Sequence, residues 1–335
     1  MSENEDRDET VTPGAAPFSP RRVSKLAIVG AGAVGSTMAY AALMRGAARE
    51  VALFDINKAK VEAEALDLSH GIQFMPMAQV VGSDDLEVLA GADVVMFTAG
   101  AKQKPGQTRV DLAGATISLI QKVLPDVVRV APNAVHVMVT NPVDIVTYAA
   151  LKISGLPSTQ LFGSGTVLDS SRLRFLIAKE TGVAVQNVHA YVAGEHGDTE
   201  LPLWSSASLG AVPLLEWNGI EGYGPLTLQV RDRIAREVVQ SAYRIIEGKG
   251  ATNYAIALAG SRIIEAILKD ERRILPVSSL LDDYYGISDV CLSVPALVGA
   301  SGVSERLRVP MSSDELAGLR ASAVAVREVA RSFGY

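Results

Sequence analysis

Two short segments of the 335-residue chain carry side chains suited to proton transfer and to binding a carboxylate. Residues 194–198, Gly-Glu-His-Gly-Asp, offer an imidazole, and residues 168–172, Leu-Asp-Ser-Ser-Arg, offer a carboxylate and a guanidinium. Oxidation of a hydroxy acid to a keto acid needs a proton acceptor, an anchor for the carboxylate and an acceptor for a hydride. His196, Asp169 and Arg172 suit the first two needs, since histidine titrates near neutral pH and arginine binds carboxylates in a bidentate manner.

The hydride acceptor requires a cofactor, and a glycine-rich turn near the N-terminus suits one. Residues 30–35, Gly-Ala-Gly-Ala-Val-Gly, lie between an apolar run at 25–29 and an alanine-rich helical stretch that ends at Met44. In a dinucleotide-binding turn, the three glycines permit the tight turn, the approach of a pyrophosphate and the close packing of helix on strand.

A second apolar run, residues 51–55, ends in Asp55, twenty residues after Gly35. This is the spacing of a carboxylate that binds ribose hydroxyls, and it predicts NAD rather than NADP, because a carboxylate repels a 2′-phosphate. The alternative is a glycine-rich turn beside a solvent-facing aspartate.

The order of apolar runs predicts an α/β fold. Further strand-like runs at 94–98 and 135–140 favour a doubly wound parallel sheet of the Rossmann type, with ligands at the carboxyl ends of its strands. Three further loops fall at such ends. They are residues 98–100, 140–142 and 163–165.

After residue 165 the pattern changes to that of an α+β domain. Helices are predicted at 167–181 and 227–248, strands at 188–193 and 287–298, and a closing amphipathic helix at 312–333 that opens with Ser312 and Glu315 in capping-box spacing. We therefore predict three parts. They are an acidic tail at 1–22, an NAD-binding domain at 23–165 and a substrate-binding, catalytic domain at 166–335.

Composition excludes several classes of protein. The net charge of −6 argues against a nucleic-acid partner, whose phosphates need a basic surface, and no apolar run reaches the ~18 residues of a membrane span. Cys291 is the single cysteine, which fits a reducing cytoplasm, and the polar, acidic N-terminus is unlike an export signal. His70 and His136 belong to no motif, and the sequence predicts no metal site.

These motifs resemble those of the lactate and malate dehydrogenase superfamily, most closely its bacterial L-lactate-oxidising branch. The likeness runs from about Lys25 to the C-terminus. Its motifs are residues 30–35, the segment 98–109 (Thr-Ala-Gly-Ala-Lys-Gln-Lys-Pro-Gly-Gln-Thr-Arg), Thr-Asn-Pro-Val-Asp at 140–144, residues 165–172, residues 194–198 and Gly-Ala-Thr at 250–252.

The resemblance implies a role for each reactive side chain. His196 would exchange a proton with the substrate oxygen, Asp169 would orient its ring, and Arg172 would hold the substrate carboxylate. Arg109 would polarise the reacting carbonyl from a mobile loop, and Asn141 would donate a hydrogen bond in the same pocket. Without the resemblance, each residue has an ordinary alternative, such as an intrahelical ion pair for Asp169 and Arg172 or a turn residue before proline for Asn141.

The resemblance also implies a substrate and a cofactor site. Gln103 occupies the position at which malate dehydrogenases carry an arginine, so a monocarboxylic substrate, pyruvate or L-lactate, is expected. Thr252 would line the pocket, although it suits a helix N-cap equally well. The expected cofactor is NAD, bound by Gly30, Gly32, Val34, Gly35, Asp55, Thr98, Ala99, Gly100 and Asn141.

A second ligand is implied by Arg174 and His189. Arg174 lies about 200° around a helix from Arg172, so the two guanidiniums point at different partners. In allosteric bacterial members of this branch, matching residues bind fructose 1,6-bisphosphate at a subunit interface, and the resemblance implies a homotetramer. An interface ion pair or a packing role is the alternative. Malate oxidation, a broader L-2-hydroxy acid specificity and a non-catalytic NAD-binding protein are the other functions considered.

Overall fold

The computed structural model describes residues 23–100 and 109–335. The predicted tail at 1–22 and Gln103 therefore lie outside the described residues. The α-helices in the described part are α1 (Ala33–Met44), α2 (Lys58–His70), α3 (Arg109–Val130), α4 (Val143–Ser154), α5 (Val167–Thr181), α6 (Leu228–Lys249), α7 (Tyr254–Leu268) and α8 (Ser313–Ser332).

The strands follow the same order along the chain. They are β1 (Lys25–Val29), β2 (Glu50–Phe54), β3 (Gln79–Ser83), β4 (Val94–Phe97), β5 (Val135–Met138), β6 (Leu161–Gly163), β7 (Val188–His189), β8 (Val192–Ala193), β9 (Leu201–Pro202), β10 (Ser208–Leu209), β11 (Val212–Pro213), β12 (Arg273–Leu281), β13 (Val290–Gly299) and β14 (Gly302–Arg306). Short 3₁₀ turns cover Ile72–Phe74, Leu86–Leu89, Val185–Asn187 and Leu214–Glu216.

The first six strands form a parallel sheet in the order β3-β2-β1-β4-β5-β6. This is the doubly wound order of dinucleotide-binding folds, and it confirms the predicted fold class. Strands β4 and β5 are wholly buried because helices cover both faces, which explains why their sequences are continuous apolar runs.

The sheet continues into the second half of the chain. Strand β12 pairs antiparallel with β6 through Ser278 and Gly163, and β13 and β14 extend the sheet to nine strands. A β-carbon on Gly163 would lie 2.4 Å from Thr147 Oγ1, so only glycine permits this junction. The predicted division between residues 165 and 166 stays a prediction, and hydrogen bonds of one sheet cross it.

The predicted long helices agree with the structure. Helix α5 has the predicted bounds, and α6 begins one residue late because the Thr227 side chain accepts a hydrogen bond from Val230 N. Helix α8 opens with the predicted capping box, in which Ser312 Oγ and Glu315 Oε2 each accept a backbone N–H from the other residue. Among the described helices, none combines the length and apolar character that a membrane crossing requires.

Two predicted strands were wrong in detail. The run at 188–193 is not one strand: β7 pairs with β10, and β8 pairs with β9. Ala190 and Tyr191 between them carry the chain from one small sheet to the other. The strand expected at 287–298 begins at Val290, because the residues before it form a turn closed by hydrogen bonds between Tyr284 and Ile287.

Candidate active site

The carboxyl ends of β1, β4, β5 and β6 bring the predicted loops to one edge of the sheet. The glycine-rich turn follows β1, Thr98 follows β4, Asn141 follows β5, and Ser164 with Gly165 follows β6. Parallel strands point in one direction, so the segments after them meet although they are far apart in sequence.

Backbone packing sets the shape of the glycine-rich turn. Gly30 has φ +101°, and a β-carbon there would lie 2.7 Å from Ala99 N. A β-carbon on Gly35 would lie 2.0 Å from the Gly30 carbonyl oxygen, so helix α1 touches the turn that precedes it. Gly32, by contrast, faces open space, with nothing within 4 Å of an added β-carbon. The turn is thus rigid on its protein side and open where a pyrophosphate would approach.

Asp55 is tethered to this turn. Its Oδ2 accepts a hydrogen bond from Ala31 N at 2.9 Å, and its Oδ1 accepts one from Asn57 N at 3.0 Å. Asp55 therefore contacts the glycine-rich turn, and its role in binding a ribose stays a prediction. Gly32 is the N-cap of α1, and no side chain caps that helix. The free helix terminus and the neighbouring carboxylate fit the phosphates and a ribose of a dinucleotide.

The neighbouring loops hold the turn in place. Thr98 Oγ1 donates hydrogen bonds to the carbonyl oxygens of Val29 and Gly30, at 3.1 and 2.8 Å. A β-carbon on Gly100 would lie 1.9 Å from Thr140 Oγ1, so the loops after β4 and β5 are in close contact. These contacts leave no room for a side chain at Gly30, Gly35 or Gly100.

The proposed acid/base residue lies on a short hairpin. Strands β8 and β9 pair, and residues 194–200 connect them. Gly194 exchanges two backbone hydrogen bonds with Ser293 on β13, and Glu195 N donates to Ser322 Oγ on α8 at 2.8 Å. The loop that carries His196 is therefore fixed to two other elements.

The side chains of His196, Asp169 and Arg172 come together as the sequence predicts. His196 Nδ1 lies 2.6 Å from Asp169 Oδ2, and Arg172 Nη1 lies 2.6 Å from Asp169 Oδ1. Asp169 is 1% exposed, whereas the His196 side chain is 23% exposed. The contact through Nδ1 leaves His196 Nε2 as the ring atom for exchange with a ligand.

Burial and charge act in opposite directions on this pair. Burial favours neutral His196, but the Asp169 carboxylate overcomes that effect and raises the pKa of His196 to about 9. Burial likewise works against ionised Asp169, yet His196 and Arg172 lower the pKa of Asp169 below its ordinary value. The pair is therefore an imidazolium and a carboxylate at neutral pH.

Two adjoining cavities meet at these residues. The larger, of about 400 Å³, is lined by Leu112, Asn141, Pro142, Asp169, Arg172, Glu195, His196, Gly197, Asp198, Glu200, Val239, Ala242, Tyr243 and Ile246. The smaller, of about 230 Å³, is lined by Val34, Thr98, Val139, Thr140, Asn141, Ser164, Gly165, Leu168, Arg172, His196, Ala242, Ile246, Thr252 and Ile256. His196, Arg172 and Asn141 belong to both walls, so ligands in the two cavities would meet beside the imidazole.

The other predicted pocket residues have mixed outcomes. Thr252 lines the smaller cavity, and it is not a helix N-cap, because Asn253 holds that position before α7. Asn141 precedes a cis peptide bond to Pro142 and lines both cavities. Arg109 begins α3, but its side chain, like Gln103, lies outside the described part of the chain.

Arg174 and His189 lie away from these cavities. Arg174 Nε donates to the carbonyl oxygen of Ala190 at 2.9 Å, and its guanidinium lies 5.0 Å from the centroid of the Tyr191 ring. His189 is exposed on β7, next to the residue that Arg174 contacts. The structure thus brings the two predicted effector residues to one surface region.

Sequence reasoning missed Asp144, whose carboxylate accepts a hydrogen bond from the backbone of the loop that carries His196. Asp144 is 1% exposed; its Oδ2 accepts His196 N at 2.7 Å, and its Oδ1 accepts Ser278 Oγ at 2.6 Å. Burial raises the pKa of Asp144 to about 6 despite these hydrogen bonds. The only sequence signal for Asp144 was its place in the 140–144 motif. Spacing along the chain could not show that it contacts His196, which lies 52 residues later.

Sequence reasoning also missed Glu200. Its carboxylate, His196 and Asp169 each offer an atom within 4.8 Å of the other two, so the structure does form a His, Asp and Glu cluster that the sequence analysis did not identify. Both Asp169 oxygens already bond to protein groups, and one of these groups is the positively charged Arg172 guanidinium, which would repel a bound cation. We therefore assign these groups to acid/base chemistry rather than to a metal.

The sheet order, the open glycine-rich turn and the adjoining cavities fit a dinucleotide-binding enzyme, and its relatives identify the class as an NAD-dependent oxidoreductase. Two family models match the chain, the NAD-binding domain of lactate/malate dehydrogenases at residues 24–163 and their α/β C-terminal domain at residues 166–331. The chain belongs to the lactate/malate dehydrogenase family, and NAD is its cofactor.

Individual relatives that match nearly the whole chain are L-lactate dehydrogenases. The chain is 60% identical over 317 residues to an L-lactate dehydrogenase of Bifidobacterium animalis subsp. lactis, covering 95% of this chain and 99% of the relative. It is 43% identical over 307 residues to an L-lactate dehydrogenase of a Thermoanaerobacter species, covering 92% and 98%.

Solved structures show the same similarity. A lactate dehydrogenase from a Medee basin deep-sea metagenome library superposes with a TM-score of 0.89 at 36% identity, covering 94% of this chain and all of that one. A minor L-lactate dehydrogenase of Enterococcus mundtii, determined with bound ligands, gives a TM-score of 0.86 at 36% identity, covering 92% and 98%.

Proposed function

We propose that this chain is an L-lactate dehydrogenase that converts pyruvate and NADH to L-lactate and NAD⁺, and the reverse. The observation that carries the proposal is the contact between His196 and Asp169 at the wall shared by the two cavities. The L-lactate dehydrogenases among its relatives support the same substrate.

The proposed mechanism begins with the cofactor site. Gly30, Gly32 and Gly35 would hold the pyrophosphate over the open side of the turn, and Asp55 would bind a ribose. Val34, Thr98, Asn141 and Thr252 would line the nicotinamide end. When bound, the cofactor supplies or accepts the hydride.

The proton would pass through His196. In pyruvate reduction, the imidazolium donates its Nε2 proton to the carbonyl oxygen, and in lactate oxidation the neutral ring accepts the hydroxyl proton. Asp169 holds Nδ1 and stabilises the imidazolium, so the ring presents the same face in both directions.

The substrate carboxylate would bind Arg172. One of its nitrogens bonds to Asp169 at 2.6 Å, which fixes the guanidinium plane, and the side chain lines both cavities. A fixed planar fork suits a carboxylate better than a flexible ammonium does. From the resemblance, we further assign polarisation of the carbonyl to Arg109.

Gln103 would select pyruvate over oxaloacetate, since a neutral amide cannot pair with a second carboxylate. A buried carboxylate without a partner costs on the order of 3–5 kcal/mol, which is a discrimination of roughly a hundredfold or more. Replacing Gln103 with Arg should therefore move the ratio of kcat/KM towards oxaloacetate. An unchanged ratio would contradict this account of specificity.

A broader L-2-hydroxy acid specificity is the second candidate. It is favoured by the apolar residues Val239, Ala242 and Ile246 of α6 on the wall of the larger cavity. The testing experiment measures initial rates of NADH oxidation with pyruvate, oxaloacetate and 2-ketoisocaproate in parallel. Preference for pyruvate supports the proposal, comparable rates with 2-ketoisocaproate support the broader enzyme, and no turnover with any of them contradicts both.

We also propose activation by fructose 1,6-bisphosphate at Arg174 and His189 in a homotetramer, and a reducing cytoplasmic location. The exposed imidazole beside the arginine supports phosphate binding, and the buried Cys291 thiol fits the location. The sugar bisphosphate should lower the KM for pyruvate in the wild type, but not in the double variant Arg174→Gln, His189→Tyr. Unchanged wild-type kinetics at saturating effector would contradict activation.

A further inference from the structure

Glu200 places a third ionisable side chain beside the proposed acid/base pair. It lies at the end of the 194–200 loop, immediately before β9, and it lines the larger cavity with His196 and Arg172. One of its carboxyl oxygens lies within 4.8 Å of an atom of His196 and of an atom of Asp169, which is close enough for direct electrostatic interaction. The mechanism above does not use this group.

The surroundings of Glu200 favour its protonated form. Burial is the largest cause, and the Asp169 carboxylate adds repulsion, while His196, Arg172 and the Gly197 amide act in the opposite direction. The net result raises the pKa of Glu200 to about 8. Glu200 is therefore mainly a neutral acid at pH 7 and mainly an anion at pH 9.

The protonation state of Glu200 affects the net charge that an anionic substrate meets in the site. Among Asp169, His196 and Arg172, the carboxylate neutralises one of the two cations that contact it, so these three groups together carry one positive charge. An ionised Glu200 would offset that positive charge. Substrate and Glu200 anion would then compete for the same guanidinium and imidazolium.

Three other acidic side chains lie near the loop. Asp144 lies beneath it and has a pKa of about 6, so it is already ionised. The Glu195 carboxylate accepts a hydrogen bond from Thr199 Oγ1 at 2.6 Å, and Asp198 accepts one from the Tyr243 hydroxyl at 2.9 Å.

We propose that Glu200 is a proton-linked positioning residue that must be protonated for an anionic 2-keto acid to bind beside Arg172. The proposal rests on the proposed function for the identity of the substrate. Its chemistry applies to any 2-keto carboxylate that the enzyme reduces.

The test compares the pH dependence of KM in three enzymes. Glu200→Gln mimics the neutral acid at all pH values, and Glu200→Asp keeps an ionisable group at the same place. Glu221→Gln, on the exposed loop before α6, is the matched control for loss of a carboxylate. KM and kcat for pyruvate are measured with saturating NADH from pH 6.5 to 9.

We expect the wild-type KM to rise about twentyfold between pH 7 and 9, about tenfold as Glu200 ionises with a pKa of about 8 and about twofold as His196 loses its proton with a pKa of about 9. Glu221→Gln should behave like the wild type, and Glu200→Asp should keep a rise. In Glu200→Gln the rise should shrink to about twofold, the part left for His196. A Glu200→Gln profile that matches the wild type, or a flat wild-type profile, would overturn the proposal.

Wild-type turnover of pyruvate at pH 7 reports on the proposed function separately from this profile. If pyruvate is not turned over, infrared difference spectra between pH 7 and 9 still test the protonation without any substrate. The wild type should show the carbonyl band of a protonated carboxyl at pH 7, and Glu200→Asp should show it shifted. Absence of that band in the wild type would overturn the proposal even if Glu200→Gln did not fold.

Discussion

The cofactor turn and the catalytic loop are built in different ways. At the turn, backbone atoms touch backbone atoms: Gly35 packs on the Gly30 carbonyl, and Gly30 packs on Ala99. At the catalytic loop, buried charges hold one another, as in the contact of His196 with Asp169. A site of the first kind depends on the absence of side chains, whereas a site of the second kind depends on protonation.

This difference in construction determines which substitutions each region tolerates. A backbone-built turn fails through steric overlap, which changes stability as well as binding. A charge-built loop fails through lost proton transfer or lost charge balance, with little change in packing. The predictions below separate these two kinds of failure.

The largest effect is expected for His196→Asn, which removes the proton donor while it keeps a polar side chain. We expect kcat for pyruvate reduction to fall by roughly 10²–10⁴-fold, the usual contribution of general acid catalysis. Steady-state kinetics give this value, and NADH titration by fluorescence serves as the control. A variant with near-normal kcat would remove His196 from the mechanism.

Gly35→Ala and Gly32→Ala should separate the two effects at the turn. The new β-carbon at position 35 would lie 2.0 Å from a backbone oxygen, so the free energy of unfolding should fall by ~1–3 kcal/mol. At position 32 the new methyl enters open space, so stability should hold while NADH affinity falls by roughly tenfold. Thermal unfolding and NADH titration measure the two quantities, and equal loss of stability in both variants would contradict the distinction.

The smallest effect is a pH dependence of kcat. The pKa of His196 is raised to about 9, so the imidazolium predominates below pH 9 and is lost above it. With saturating substrate, kcat for pyruvate reduction should therefore fall about tenfold per pH unit above 9, and kcat for lactate oxidation should rise as pH approaches 9. If kcat changed with pH in the same sense for pyruvate reduction and for lactate oxidation, a single proton carried by His196 could not explain the two profiles.

Local sequence determined much of the structure of the NAD-binding part of the chain. The glycine spacing at 30–35, the acid at Asp55 and the continuous apolar runs predict a parallel sheet with a dinucleotide turn, because these features follow from backbone geometry within one βαβ unit. Helix α5 and the capping box of α8 were predicted correctly for the same reason, since helix signals are local.

Tertiary structure decided what the sequence could not. The continuity of one sheet across both halves of the chain depends on β6 meeting β12, more than a hundred residues apart. The split of the 188–193 run into β7 and β8 depends on partners in two separate small sheets. Spacing carries no information about such distant partners.

The same division holds within the candidate site. The sequence by itself selected His196, Asp169 and Arg172, because their chemistry and motif spacing are local. Asp144 and Glu200 acquired their altered pKa values only from burial and from charges that the fold brings near. Residue types are written in the sequence, whereas the electrostatic environment of a carboxyl group is a property of the packed structure.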